Sequence, residues 1–157
     1  MGAGVEIACC CDIRIASESA RFGAPIARLG FPMAPREAAL VLREAGASTA
    51  REMLLQAAVL GAPEMKARGF LNQLVTDGAT KEVALAAAPQ VAALAAQAAR
   101  LNKRTLRALN QASALFENTI SATDPVANAI RNAYQYADSA EHREGIDAFM
   151  QKRKPMF

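Results

Sequence analysis

The sequence predicts a mixed α/β first half followed by a helical second half. Three observations carry this reading. Apolar residues up to position 23 fall in short runs broken by polar residues, while from Arg36 onward they recur at helical spacing. After Gly78 the helical spacing is almost unbroken. The composition agrees, because 52% of the 157 residues are hydrophobic but only 5% are aromatic and none is Trp. Ala, Leu and Val must therefore fill the core, and Ala and Leu lose little entropy in a helix. The length suffices for one domain with a real core.

The elements follow in order. Residues 5–11 form an apolar run containing one carboxylate, Glu6, and Gly2 and Gly4 suit a tight loop that opens a helix there. Residues 12–16 alternate like a strand, and residues 20–23 read as a second short strand. Ala24 and Pro25 begin a loop that Gly30, Pro32 and Pro35 prolong. A helix then runs from Arg36 to a stop at Gly46, and Ser48 is placed to cap the next one, which carries Met53, Leu54 and Leu55. Pro63 belongs to the first turn of a helix that ends at Gly69, and residues 71–75 are a candidate strand. Residues 80–101 form a long helical segment in which Pro89 either kinks the helix or opens a second one. Residues 102–117 are again amphipathic, and Asp124-Pro125 begins a helix through Tyr136. Ser139 caps a last helix reaching about Met150, with His142 where a capping box would carry an acid or amide. The natural division is 1–78 and 79–157.

Charge and cysteine usage exclude several classes. A formal net charge of +3, with no basic stripe interleaved with aromatics, does not point to nucleic acid. Cys9, Cys10 and Cys11 are consecutive, so they cannot converge on one metal ion and are poor disulfide partners. They read as small buried hydrophobes in a reducing compartment. Met1-Gly-Ala-Gly lacks the basic start of a secretion signal, and the most apolar stretch, 83–99, is broken by Pro89, Gln90 and Gln97. No membrane association and a cytoplasmic location are expected.

Four segments, taken together, resemble the crotonase superfamily, the enoyl-CoA hydratase/isomerase type. They are GAGVEIACCCDIRIA, ARFGAPIARLGFP, EMLLQAAVLGAPEMKARGFLNQLV and EGIDAFMQKRKPMF, and their order and spacing match from end to end. The resemblance implies a partial crotonase-like spiral ββα core over 1–78 and a carboxy-terminal helical oligomerisation region over 79–157. It further implies homotrimers, or homohexamers built from two trimers. It implies an acyl-CoA thioester as substrate and no separate cofactor. It also implies an amino-terminal portion before the Gly-rich loop, carrying several core strands, one oxyanion amide and much of the CoA pocket. Met1 would then stand inside a longer protein, or the reading frame has been shortened.

In this family's chemistry, two backbone N–H groups hold a thioester carbonyl while negative charge builds on its oxygen. The resemblance gives Ala3 one of those amides, flanked by Gly2 and Gly4, and makes Glu6 the first catalytic carboxylate. A lone Glu in an apolar helix is otherwise a solvated or ion-paired residue. The second carboxylate of hydratases falls at Ile26, beside Pro25 in the substrate-binding loop, and Ile cannot transfer protons. Hydration by two acids is therefore in doubt, whereas one carboxylate still suffices to shuttle a proton between carbons. Arg36 and Glu37 follow shortly and read as first-turn helix residues, although they could replace part of the lost function. Phe149 and Lys152 match positions that contact the CoA adenine and phosphates, or else Lys152 complements a helix end with Arg153 and Lys154. His142, the single histidine, reads as a surface helix residue, so metal or triad chemistry is not expected. The alternative from another class is a catalytically silent acyl-CoA-binding or structural homologue.

Overall fold

The computed structural model describes residues 1–30, 32–112, 132 and 135–157. The chain forms two compact units, Met1–Ala86 and Ala87–Phe157. The helix expected from Asp124 falls mostly outside the described residues, as does the end of the stretch expected to reach residue 117.

The first unit opens with α1 (Ala3–Cys10), whose N-cap is Gly2 at φ 54°. Strand β1 (Ile15–Ser17) pairs in parallel with β4 (Gln73–Val75), so that Ile15 faces Gln73 and Ser17 faces Val75. Strand β2 (Arg21–Phe22) pairs antiparallel with β3 (Leu60–Gly61). Between them lie a 3-10 turn (Ile26–Leu29), α2 (Pro35–Ala45) and α3 (Ala47–Leu55), and α4 (Ala62–Ala67) follows β3.

Several sequence expectations shift. The first strand begins at Ile15 and not at position 12, because Asp12 and Ile13 are exposed in the turn that leaves α1. The strand expected over 71–75 starts only at Gln73, since Leu71 is buried in the core ahead of the pairing. The loop expected through 24–35 contains the 3-10 turn at its start. Gly46, and not Ser48, is the N-cap of α3; at φ 85° it ends one helix and begins the next, a conformation that favours glycine. Ser48 instead lies inside α3 and donates to Glu52 at 3.3 Å.

Both helix faces and strands converge on one core. Phe70, Met53, Met65, Val5 and Val41 are its largest fully buried side chains, and Phe22 meets Phe70 edge-on at 5.7 Å. Val5 and Cys9 of α1 and Val41 and Ala45 of α2, each pair four residues apart, belong to the same cluster. Arg68 ties α3 to α4 with a two-pronged bond to Glu52, both distances 2.9 Å, and a further bond to Glu64 at 2.6 Å.

Helix α5 (Thr80–Ala92) crosses from the first unit into the second and keeps Pro89 inside it. The long segment expected over 80–101 breaks not at Pro89 but after Ala92, and α6 (Ala96–Ala112) begins anew. Glu141 caps that start by accepting from the Gln97 N–H at 2.9 Å. The last helix, α7 (Ala140–Met150), starts as the sequence predicts: Ser139 Oγ accepts from the His142 N–H at 3.1 Å. Among the described residues no single helix is long and apolar enough to cross a membrane.

Candidate active site

The mouth of α1 is built by its glycines. The Gly2 N–H donates to the Gly23 carbonyl at 2.8 Å, the Gly4 N–H to Met1 at 3.2 Å and the Val5 N–H to Gly2 at 2.8 Å. Among the described residues the Ala3 N–H has no acceptor, and Ala3 is exposed. An unsatisfied amide in the first turn of a helix, at the positive end of its dipole, is a ready donor to an oxyanion. Glu6 is half-buried one turn further on.

The Gly2–Gly23 bond brings the loop after β2 against this mouth. Gly23 is required by close approach, because a Cβ there would stand 2.7 Å from the Ala58 carbonyl oxygen. Ala24 is completely buried, Pro25 caps the 3-10 turn, and Ile26 is its half-buried first residue. The structure thus brings Gly2, Ala3, Gly4, Pro25 and Ile26 into one neighbourhood, joined through a single backbone bond.

Arg14, which the sequence did not single out, anchors the other end of α1. Its Nε donates to the Ala8 carbonyl at 2.8 Å and its Nη1 to the Phe70 carbonyl at 3.3 Å. Nη2 reaches the Cys9 carbonyl at 3.4 Å and Glu44 at 2.6 Å. The guanidinium also lies 4.5 Å from the centre of the Phe70 ring. Burial by itself would raise the Glu44 carboxyl, but hydrogen bonds from Arg14 and then Arg43 outweigh it and hold it below the usual range. Burial pushes the Cys9 thiol up to about 11, which keeps it an inert core residue, while Cys10 and Cys11 are exposed and only Cys9 fits the buried reading.

A second signal falls on a residue the sequence offered as a partial replacement for the lost acid. Glu37, in the first turn of α2, has one carboxylate oxygen, Oε2, shut off from solvent with no hydrogen-bond partner among the described residues. Glu44 on the same helix carries two arginine partners. Only the packing of α2 distinguishes these two acids.

Phe149 and Lys152 belong to the second unit. Phe149 is 81% exposed and, with Ala95, Ile146 and Phe157, lines a hollow of about 440 Å³. Lys152 follows α7 at φ 53°, where its N–H donates to Phe149 and the Arg153 N–H to Ala148. This is a glycine-type helix ending occupied by lysine, at a cost of about 1 kcal/mol. Arg153 is held by Glu144 of α7 at 2.6 and 2.9 Å. His142 is half-buried beside the same hollow and not wholly at the surface. Among the described residues no three His, Cys, Asp or Glu side chains are grouped to hold a metal ion.

Comparison with known proteins decides the family. The family model described as Enoyl-CoA hydratase/isomerase matches residues 1–157. The chain belongs to the enoyl-CoA hydratase/isomerase family. Among curated relatives of this crotonase-superfamily chain, the 2,3-dehydroadipyl-CoA hydratase of Escherichia coli is 32% identical over 158 residues. That match covers 100% of this chain and 58% of the relative. An enoyl-CoA hydratase/carnithine racemase from Magnetospirillum magneticum has a crystal structure that matches with a TM-score of 0.84 and 35% identity. It is matched over 99% of this chain and 55% of its own. An enoyl-CoA hydratase structure from Geobacillus kaustophilus gives a TM-score of 0.83 at 28% identity, covering 99% and 58%. The family chain thus has the crotonase-like α/β fold, and it spans less than two thirds of the length of these relatives.

Proposed function

We propose that the protein containing this chain works on acyl-CoA thioesters as an enzyme of the hydratase/isomerase type. The observation that carries the proposal is the unbonded Ala3 N–H at the mouth of α1, with Glu6 in the following turn. In this reading the Ala3 amide donates to the thioester oxygen as it gains charge, and Glu6 moves the proton at carbon. Gly2 and Gly4 let the backbone approach the thioester, and Pro25 and Ile26 form the wall beside it. Phe149 and Lys152 receive the adenine and phosphates of CoA. The thioester is the substrate, no separate cofactor takes part, and the reaction runs in the cytoplasm. The helical second half assembles copies of the chain into trimers or hexamers.

Hydration by the family's usual pair of acids lacks its second member, because Ile26 stands in that place. That same residue favours a second reading, a silent acyl-CoA-binding homologue. The full-length protein and its Glu6→Gln variant, offered a short enoyl-CoA, separate the two. Turnover by the wild type that falls on the order of 100-fold in the variant supports the enzyme. Thioester binding with equal inertness in both proteins supports the silent homologue.

A further inference from the structure

We infer that Glu37 supplies the second proton-transferring carboxyl group of this site, in place of the one missing at Ile26. The inference rests on the acyl-CoA reading and deepens it.

Helix α2 turns one face toward the core. Glu37, Val41 and Ala45 are spaced four residues apart and so form one stripe, with Leu40 and Glu44 beside it. Val41 and Ala45 pack in the same core cluster as Val5 and Cys9 of α1, and Leu40 packs against that cluster. Glu37 continues this stripe one turn toward the start of the helix. The carboxyl ends of α1 and α2 adjoin, because Arg14 bonds both the Cys9 carbonyl and Glu44. With that shared end, and with Val5 of α1 and Val41 of α2 in one cluster, we take the first turn of α2, which carries Glu37, to lie beside the first turn of α1. Ala3 and Glu6 are there.

The two acids of this face are treated differently. Glu44 is held by Arg14 and Arg43. The Glu37 Oε2 is buried without any partner among the described residues. Burying an unpaired carboxyl oxygen is unfavourable, and an apolar residue would serve packing better, as Val41 does one turn later. The chemistry of the site supplies a use for it. In hydration one carboxylate takes a proton from water as the water oxygen bonds to Cβ. The π electrons move onto the thioester oxygen, stabilised by the Ala3 amide. The second acid then delivers its proton to Cα as the thioester carbonyl re-forms. Water is consumed whole, and the proton gained by one carboxylate replaces that lost by the other. Glu6 and Glu37 divide these two duties, and Ile26 keeps an apolar wall where the usual acid would stand.

The test uses the full-length protein with crotonyl-CoA as substrate and butyryl-CoA as a binding probe. Glu37→Gln is expected to lower kcat on the order of 100-fold and to remove one limb of the pH–rate profile. Butyryl-CoA affinity should stay within about threefold. A Glu37→Gln enzyme with near wild-type kcat and an unchanged pH profile overturns the inference. If that variant does not fold, Glu37→Asp decides, because it keeps the acid and shortens its reach. A lowered kcat at constant KM supports the role, and wild-type kinetics refute it. A wild-type protein that binds butyryl-CoA without hydrating crotonyl-CoA overturns the role of Glu37 while leaving thioester binding intact. Failure of the wild type even to bind sinks the acyl-CoA reading itself.

Discussion

At the scale of single residues, Glu144 shows how the carboxy-terminal segment is tied to α7. Its carboxylate accepts two bonds from Arg153 and one from the Met156 N–H at 2.7 Å. Arg153 first, and then the Met156 amide, hold the Glu144 carboxyl down at about 2, against an ordinary value of 4.5. A depressed carboxylate stabilises the fold in full above its unfolded value and ceases to do so as pH falls through its folded value. Urea midpoints measured by circular dichroism should therefore fall as the pH drops from about 4.5 toward 2. Glu144→Gln should remove part of that slope, and a variant with the same acid profile as the wild type would exclude this pair from the stability of the tail. Solvent reaches both partners, so the effect is expected to shrink in high salt.

At the scale of elements, the clamp at the end of α1 fixes how α1 meets α2. Arg14 and Glu44 are largely withdrawn from water, at 11% and 20% side-chain exposure. Arg14→Leu would leave Glu44 without its closest partner and take from the Cys9 and Phe70 carbonyls the guanidinium that donates to them. We expect a loss of about 2–4 kcal/mol in urea unfolding. Adding Glu44→Leu should restore much of it, because the stranded charge is then gone. A single-variant loss below about 0.5 kcal/mol would show that the clamp is dispensable.

The same elements show what was legible in the sequence. Helices α2, α4 and α7 announce themselves through apolar spacing, an early proline or a capping serine, all local signals. Strands of two or three residues such as β3 have too little sequence to carry a period, and their pairing comes from residues some forty positions apart. The position of Ala3, Glu6 and Ile26 was readable from the motif. Arg14 was not, and Glu37 stood out only as a first-turn acid near the loop, because their significance lies in which partners the packing of α1 on α2 grants or denies them.

At the scale of the whole molecule, the two units differ in how they bury apolar groups. Almost every buried core residue belongs to the first unit, while among the described residues the second buries only Ala108 and Ala148. That second unit exposes Leu94, Leu106, Leu109, Ile146, Phe149 and Met150, each by half or more. Apolar helix faces left so open mark contact surfaces, and closed symmetric assembly is the common way to cover them. Copies of the same chain are the proposed cover, as trimers or pairs of trimers. Sedimentation of the full-length protein at micromolar concentration should then give a trimer or a hexamer. Ile146→Asp with Phe149→Asp should shift the population toward smaller species, because burying two charges without partners opposes association. A monomer at every concentration in the wild type would remove the assembly. The exposed faces of α6 and α7 would then have to be covered within a single polypeptide.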